Sequence, residues 1–213
     1  MKQVRYTKKL DGLSYFDTET LSQSTGLRGS NMYQNVNRWI KSKNLIQLKK
    51  GLYLTQEYFL KENAKESYLE FIANKLRFPS YLSLEYVLSK YQVLTESVFV
   101  YTSISMKTTR KYSNQLGVFT YKNITQTLFT GFNIVDEDGY NIAIATKAKA
   151  LFDYLYLKFY RKKDISKESI DDLRLNLDSF TKKEVQEFLK YCKLTKIKKY
   201  INVSKLLFTI NDN

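Results

Sequence analysis

The chain has 213 residues, 43% of them apolar, with 35 Lys and Arg against 21 Asp and Glu, one cysteine and no histidine, giving a formal net charge of +14 and a pI near 9.6. That length suits one large or two small domains with packed cores, and the charge fits a polyanionic partner, nucleic acid or an anionic membrane surface, as well as a Lys-rich chain whose charges only solvate it. Without histidine the commonest general base and zinc ligand are gone, no Cys/His cluster, Walker A or GxGxxG pattern occurs, and no apolar run approaches the ~20 residues of a membrane span, so the expectation is a protein that is not an enzyme and needs no cofactor or metal.

Met1-Lys2-Gln3 leads into polar sequence, which predicts no signal peptide and a cytoplasmic location. Asp17-Thr18-Glu19-Thr20-Leu21 predicts the start of a short helix that Gly26 ends, and a second, amphipathic helix is expected from about Ser30 to Lys43. Met32, Val36, Trp39 and Ile40 recur at helical spacing and should pack on Leu21, Leu27 and Leu45. A ribbon follows, Leu45-Ile46-Gln47-Leu48 and Leu52-Tyr53-Leu54, with Lys49-Lys50-Gly51 at its tip. Helix, turn, helix, basic hairpin is the plan of a winged helix-turn-helix, assigned to residues 1–65. Those residues carry 12 Lys and Arg against 5 Asp and Glu, as large an excess as the remaining 148 residues hold, which concentrates positive charge on the first domain.

Residues 66–213 predict an α+β domain with an antiparallel sheet and C-terminal helices. One helix could run continuously from Gln56 through Leu76 until Pro79 stops it, and Ser80 or Ser83 caps the next, which carries Leu84, Val87, Leu88 and Tyr91 on one face. Strands are expected at 97–102, 117–121, 127–135 and 140–145. Asp138-Gly139 marks a hairpin turn, which accounts for the acidic run Asp136-Glu137-Asp138 better than a metal loop does. From Thr146 on, Ala148, Leu151, Phe152, Leu155, Tyr156 and Phe159 form a helical apolar stripe, and helices near 167–177 and 181–193 follow. The segment 196–213 reads as helix or strand, and Cys192, set among Phe188, Leu189, Tyr191 and Leu194, as a buried structural thiol.

The polar face of the second helix carries the chemistry of base recognition. Asn and Gln pair bidentately with adenine and Arg with guanine, and the N-terminal half of such a helix points into the major groove. Ser30, Asn31, Gln34 and Asn37 are the expected base contacts, with Arg38 and Lys41 on the same face; Arg28 suits a phosphate and Tyr33 a core edge or a phosphate. Lys49 and Lys50 at the wing tip would follow the duplex backbone or minor groove and add affinity more than sequence choice. The alternatives are a solvated helix face and a winged helix used for protein contacts. Specificity would come from a homodimer or from monomers binding cooperatively on repeats.

The order of several segments resembles the AbiEi antitoxins of type IV toxin–antitoxin systems, linked to abortive infection and phage defence. Those segments are Trp39-Ile40-Lys41-Ser42-Lys43-Asn44-Leu45-Ile46 with Lys49-Lys50-Gly51-Leu52-Tyr53, then Phe78-Pro79-Ser80-Tyr81-Leu82-Ser83, Phe99-Val100-Tyr101-Thr102, Leu116-Gly117-Val118-Phe119-Thr120-Tyr121, and Ile144 through Asp153. Lys147 and Ala148 stand where the family has Pro-Glu, and Lys90-Tyr91-Gln92-Val93 lacks its His-Gly. The resemblance implies autoregulation, the winged helix repressing its own operon at inverted repeats in promoter DNA. It also implies that the second domain antagonises a nucleotidyltransferase-like toxin without a stable complex. The basic positions Arg110, Lys111, Lys149, Arg161, Lys162 and Lys163 are the surface candidates for that activity, although Lys149 and Asp153 also stand at i,i+4 ion-pair spacing. Two other readings compete: a stand-alone winged-helix transcriptional regulator with a C-terminal ligand-sensing domain, and a nuclease-like enzyme delivered to DNA, which the scattered carboxylates disfavour.

Overall fold

A computed structural model describes residues 8–208 as a mixed α+β chain. It divides into two units. One comprises the chain up to Leu69 together with Tyr112–Val118; the other comprises Glu70–Lys111 and Phe119 onward. Near the division Tyr68 is fully buried and donates its hydroxyl to the Ser14 carbonyl at 2.7 Å within the first unit.

In the first unit a 3₁₀ turn, Lys8–Leu10, precedes strand β1 (Phe16–Asp17), helix α1 (Thr18–Thr25), helix α2 (Gly29–Lys41) and strands β2 (Leu45–Lys49) and β3 (Leu52–Thr55). Asp17 starts α1 as its N-cap: its carboxylate accepts from the Thr20 amide at 2.8 Å. Gly26 ends it in the left-handed region at φ 72°, which glycine enters without steric cost. Strand β1, too short to show in the sequence, pairs antiparallel with β3, and the sheet order is β1-β3-β2. The predicted packing is present: Leu21, Met32, Val36, Trp39 and Leu45 are buried together with Leu10, Phe16 and Tyr53, and Leu27 and Ile40 pack at the edge. Each such side chain contributes about 1.5–3 kcal/mol on burial.

Helix α3 (Gln56–Lys61) and helix α4 (Lys65–Leu76) replace the single helix expected over 56–76. Glu62 adopts an extended conformation (φ −66°, ψ 122°), and its carboxylate accepts from the Ala64 amide at 2.8 Å, so the chain turns there instead of continuing the helix.

A six-stranded sheet has the order β6-β7-β5-β4-β9-β8, from β4 (Ser80–Leu82), β5 (Val100–Ser105), β6 (Arg110–Asn114), β7 (Gly117–Asn123), β8 (Phe132–Glu137) and β9 (Tyr140–Ala145); its residues belong to the second unit except those of β6 and β7 within Tyr112–Val118. It is mixed and not purely antiparallel: β4 runs antiparallel to β5 but parallel to β9, with Leu82 opposite Ile144. Strand β4 escaped the sequence reading because its three residues are all buried and show no alternation. The β8–β9 hairpin closes through Asp138 and Gly139, both at positive φ (53° and 83°), with Asp136 accepting from the Gly139 amide. Gly131, at φ 78°, opens β8 later than expected; a Cβ there would overlap the Tyr191 hydroxyl.

Helix α5 (Leu84–Lys90) starts at Ser83, helix α6 (Lys147–Lys158) is capped by the Thr146 hydroxyl, and the short helix α7 (Lys167–Asp171) covers only the start of the helix expected over 167–177. Helix α8 (Lys182–Leu194) has a reciprocal capping box between Thr181 and Glu184. Helix α9 (Lys198–Leu207) settles the tail as helical up to Leu207; residues 209–213 lie outside those described. The stripe on α6 is buried throughout, and burial pushes the Cys192 thiol up to about 12, which keeps it unreactive. Among the described residues no helix is long and apolar enough to cross a membrane.

The Asp17 cap has a pH signature. Hydrogen bonding to the Thr20 amide holds its carboxyl below the ordinary carboxylate value. A depressed folded pKa stabilises fully above the unfolded pKa of about 3.9, and that contribution is lost as pH falls through the folded value. Asp17→Ala should lower stability at pH 7 by about 0.5–2 kcal/mol in urea unfolding, whereas Asp17→Asn keeps a capping oxygen and loses the acid-side dependence.

Candidate nucleic-acid interface

Helix α2 separates its residues by face. Met32, Val36 and Trp39 point into the core, while Arg28, Ser30, Asn31, Tyr33, Gln34, Asn37, Arg38 and Lys41 are all exposed. The eight candidate positions on and before this helix therefore form one solvent-facing surface. Arg28 occupies the N-cap position in an extended conformation and makes no side-chain cap. Tyr33 is 53% exposed, which removes the core-edge option for its ring. Asn35 donates to both the backbone and side-chain carbonyls of Asn31, at 2.8 and 3.0 Å, and so orients the Asn31 amide.

The ribbon tip is more tightly held than a free wing. Gly51, at φ 80°, presents its carbonyl to the Thr18 amide at 3.2 Å, tying the tip to the start of α1. The Leu48 carbonyl accepts from the Asn114 amide at 2.9 Å. Lys49 is half-buried, its ammonium 6.0 Å from the centre of the Tyr112 ring, whereas Lys50 is exposed. The two tip lysines therefore differ: Lys50 is open to solvent, while Lys49 lies beside Tyr112.

In the second unit the basic candidates separate. Arg110 and Lys111 are exposed and line an open cleft of about 820 Å³ with Lys122 and Phe99, neither of which the sequence had marked. No motif points to Lys122, and Phe99 falls within the strand expected at 97–102 but lies just before β5. Arg161, Lys162 and Lys163 are exposed on the segment after α6, whose carbonyls at Phe159, Tyr160 and Lys162 accept from the Lys199 ammonium. They do not line that cleft.

Lys149 is not a surface position, and that expectation is overturned. It is fully buried on α6, ion-paired one turn away with the equally buried Asp153. Tyr81 and Ser83 donate to the other Asp153 oxygen at 2.9 and 2.8 Å, and the rings of Tyr81, Phe152 and Tyr191 surround the ammonium. Burial pulls the Lys149 ammonium down and pushes the Asp153 carboxyl up, each countered by the other's charge. The helical apolar stripe around Lys149 was the available signal: a lysine amid buried residues needs a partner, and Asp153 stood at the right spacing.

Removing one member of this pair strands a buried charge. Asp153→Ala should cost about 3–5 kcal/mol in urea unfolding, and Lys149→Met with Asp153→Leu should cost less than the sum of the single changes. Compared with known proteins, the chain matches no family model and no curated protein.

Proposed function

We propose that the first unit is a winged helix-turn-helix that reads duplex DNA with α2 in the major groove. One observation carries this reading: on a single helix, every Asn, Gln and Arg candidate is exposed while Met32, Val36 and Trp39 anchor the opposite face in the core. The element order supports it, because a short strand and a later ribbon form one three-stranded sheet, with two helices between them in the chain. The net charge of +14 supplies the long-range attraction to phosphates.

On this proposal Ser30, Asn31, Gln34 and Asn37 read bases, Arg28, Tyr33, Arg38 and Lys41 engage the backbone or flanking bases, and Lys50, with Lys49 beside it, holds phosphates at the wing. Following the resemblance to AbiEi antitoxins in the order of its segments, we propose that this binding is to inverted repeats of the protein's own promoter and that the second unit antagonises a nucleotidyltransferase-like toxin. Arg110, Lys111, Arg161, Lys162 and Lys163 remain the accessible candidates for that antagonism. The runner-up, a stand-alone regulator with a ligand-sensing second unit, draws on the cleft lined by Phe99 and Arg110.

Gel-shift titrations against promoter and scrambled duplexes test the DNA reading. Gln34→Ala or Asn37→Ala should cost about 1–3 kcal/mol on the promoter and little on scrambled DNA. Lys49→Ala with Lys50→Ala should weaken both duplexes alike and flatten the salt dependence. Unchanged affinity in both sets would remove the reading. Growth rescue on co-expression with an adjacent nucleotidyltransferase gene separates the antitoxin from the stand-alone regulator.

A further inference from the structure

We infer that the cleft on the second unit binds single-stranded nucleic acid, stacking a base on Phe99 and holding phosphates with Arg110, Lys111 and Lys122. This goes beyond the duplex reading and uses none of the residues on α2. The cleft measures about 820 Å³, within the usual 300–1,000 Å³ of ligand sites, and its lining joins Phe99 and Val100 to Arg110, Lys111 and Lys122. Its cations come from neighbouring strands at one edge of the sheet, Arg110 and Lys111 on β6 and Lys122 on β7, and all three are exposed. Charge complementarity therefore calls for an anionic occupant.

The aromatic ring narrows the class. Phe99 is 87% exposed just before β5, a ring left in water at the side of a cationic groove. A cationic track with an unburied aromatic is the chemistry that binds single strands, because every unpaired base offers a face to stack while its phosphates follow the positive charge. A duplex keeps its bases stacked internally and could not use Phe99. An acidic peptide would use the cations but has no need of the ring. Glu85, the one carboxylate in the lining, repels phosphates and directs them toward the β6–β7 side.

Fluorescence anisotropy of the full chain with a labelled twelve-nucleotide oligo(U) tests the proposal, with uridine monophosphate and poly-glutamate as competitors. Lys111→Glu with Lys122→Glu should weaken binding at least tenfold. Phe99→Ala should weaken it about 5- to 150-fold, the range for loss of one stacked base, and Phe99→Trp should retain it. Glu85→Gln should tighten it. Thermal unfolding curves matching the unsubstituted chain show that these surface variants are folded; Lys122→Gln, a milder change, is the fallback for the charge reversal. Gln34→Ala and Asn37→Ala should leave oligo(U) binding unchanged, so failure here is distinct from failure of the duplex reading. No binding at 150 mM salt, or an unchanged affinity in Phe99→Ala, overturns the proposal. So does competition by uridine monophosphate at equal nucleotide concentration, or by poly-glutamate at equal charge.

Discussion

A carboxylate and an ammonium sit without solvent at the centre of the second unit, and their mutual need organises the elements around them. Asp153 and Lys149 share one face of α6, and Asp153 also accepts from Tyr81 on β4 and from Ser83 at the start of α5. Taking either charge out of water costs several kcal/mol, so the site is stable only when every one of these donors is in place. Its cost is felt locally: Ser83, the N-cap residue of α5, turns its hydroxyl to Asp153 and makes no cap of its own. Thr102 on β5 supplies the missing cap instead, accepting from the Tyr86 amide at 3.1 Å and donating to the Ser83 carbonyl at 2.6 Å. One buried pair thus links β4, α5 and α6, and through Thr102 reaches β5.

The first unit rests on a simpler constraint. Burial of Met32, Val36 and Trp39 sets the rotation of α2 about its own axis, so its Asn, Gln and Arg residues must face outward. The ribbon tip is then held by Thr18 and Asn114 beside the chain segments that flank it.

Much of this was legible beforehand because it depends on local rules. The Asp17 cap, the Gly26 stop, the Asp138-Gly139 turn and the apolar stripes on α2 and α6 each follow from neighbours within a few residues. The misses have the opposite origin. Strand β6, Arg-Lys-Tyr-Ser-Asn, has no apolar alternation and becomes a strand through pairing with β7. Strand β4 is defined by β5 on one side and β9 on the other, and its parallel pairing with β9 joins residues far apart in the chain. Lys149 looked like one basic residue among many until the burial of its helix face removed it from the surface.

The sequence by itself determined the amphipathic helices, their caps and the partition of α2 into a core face and a polar face, since helical periodicity and side-chain polarity decide these within a single element. Only the tertiary structure decided the surroundings of each charge. It buried Lys149, drew Lys49 against Tyr112, and placed Phe99, Arg110 and Lys122 around one cleft. A charge's worth depends on the dielectric and the partners around it, and those are properties of the packed chain that no linear spacing specifies.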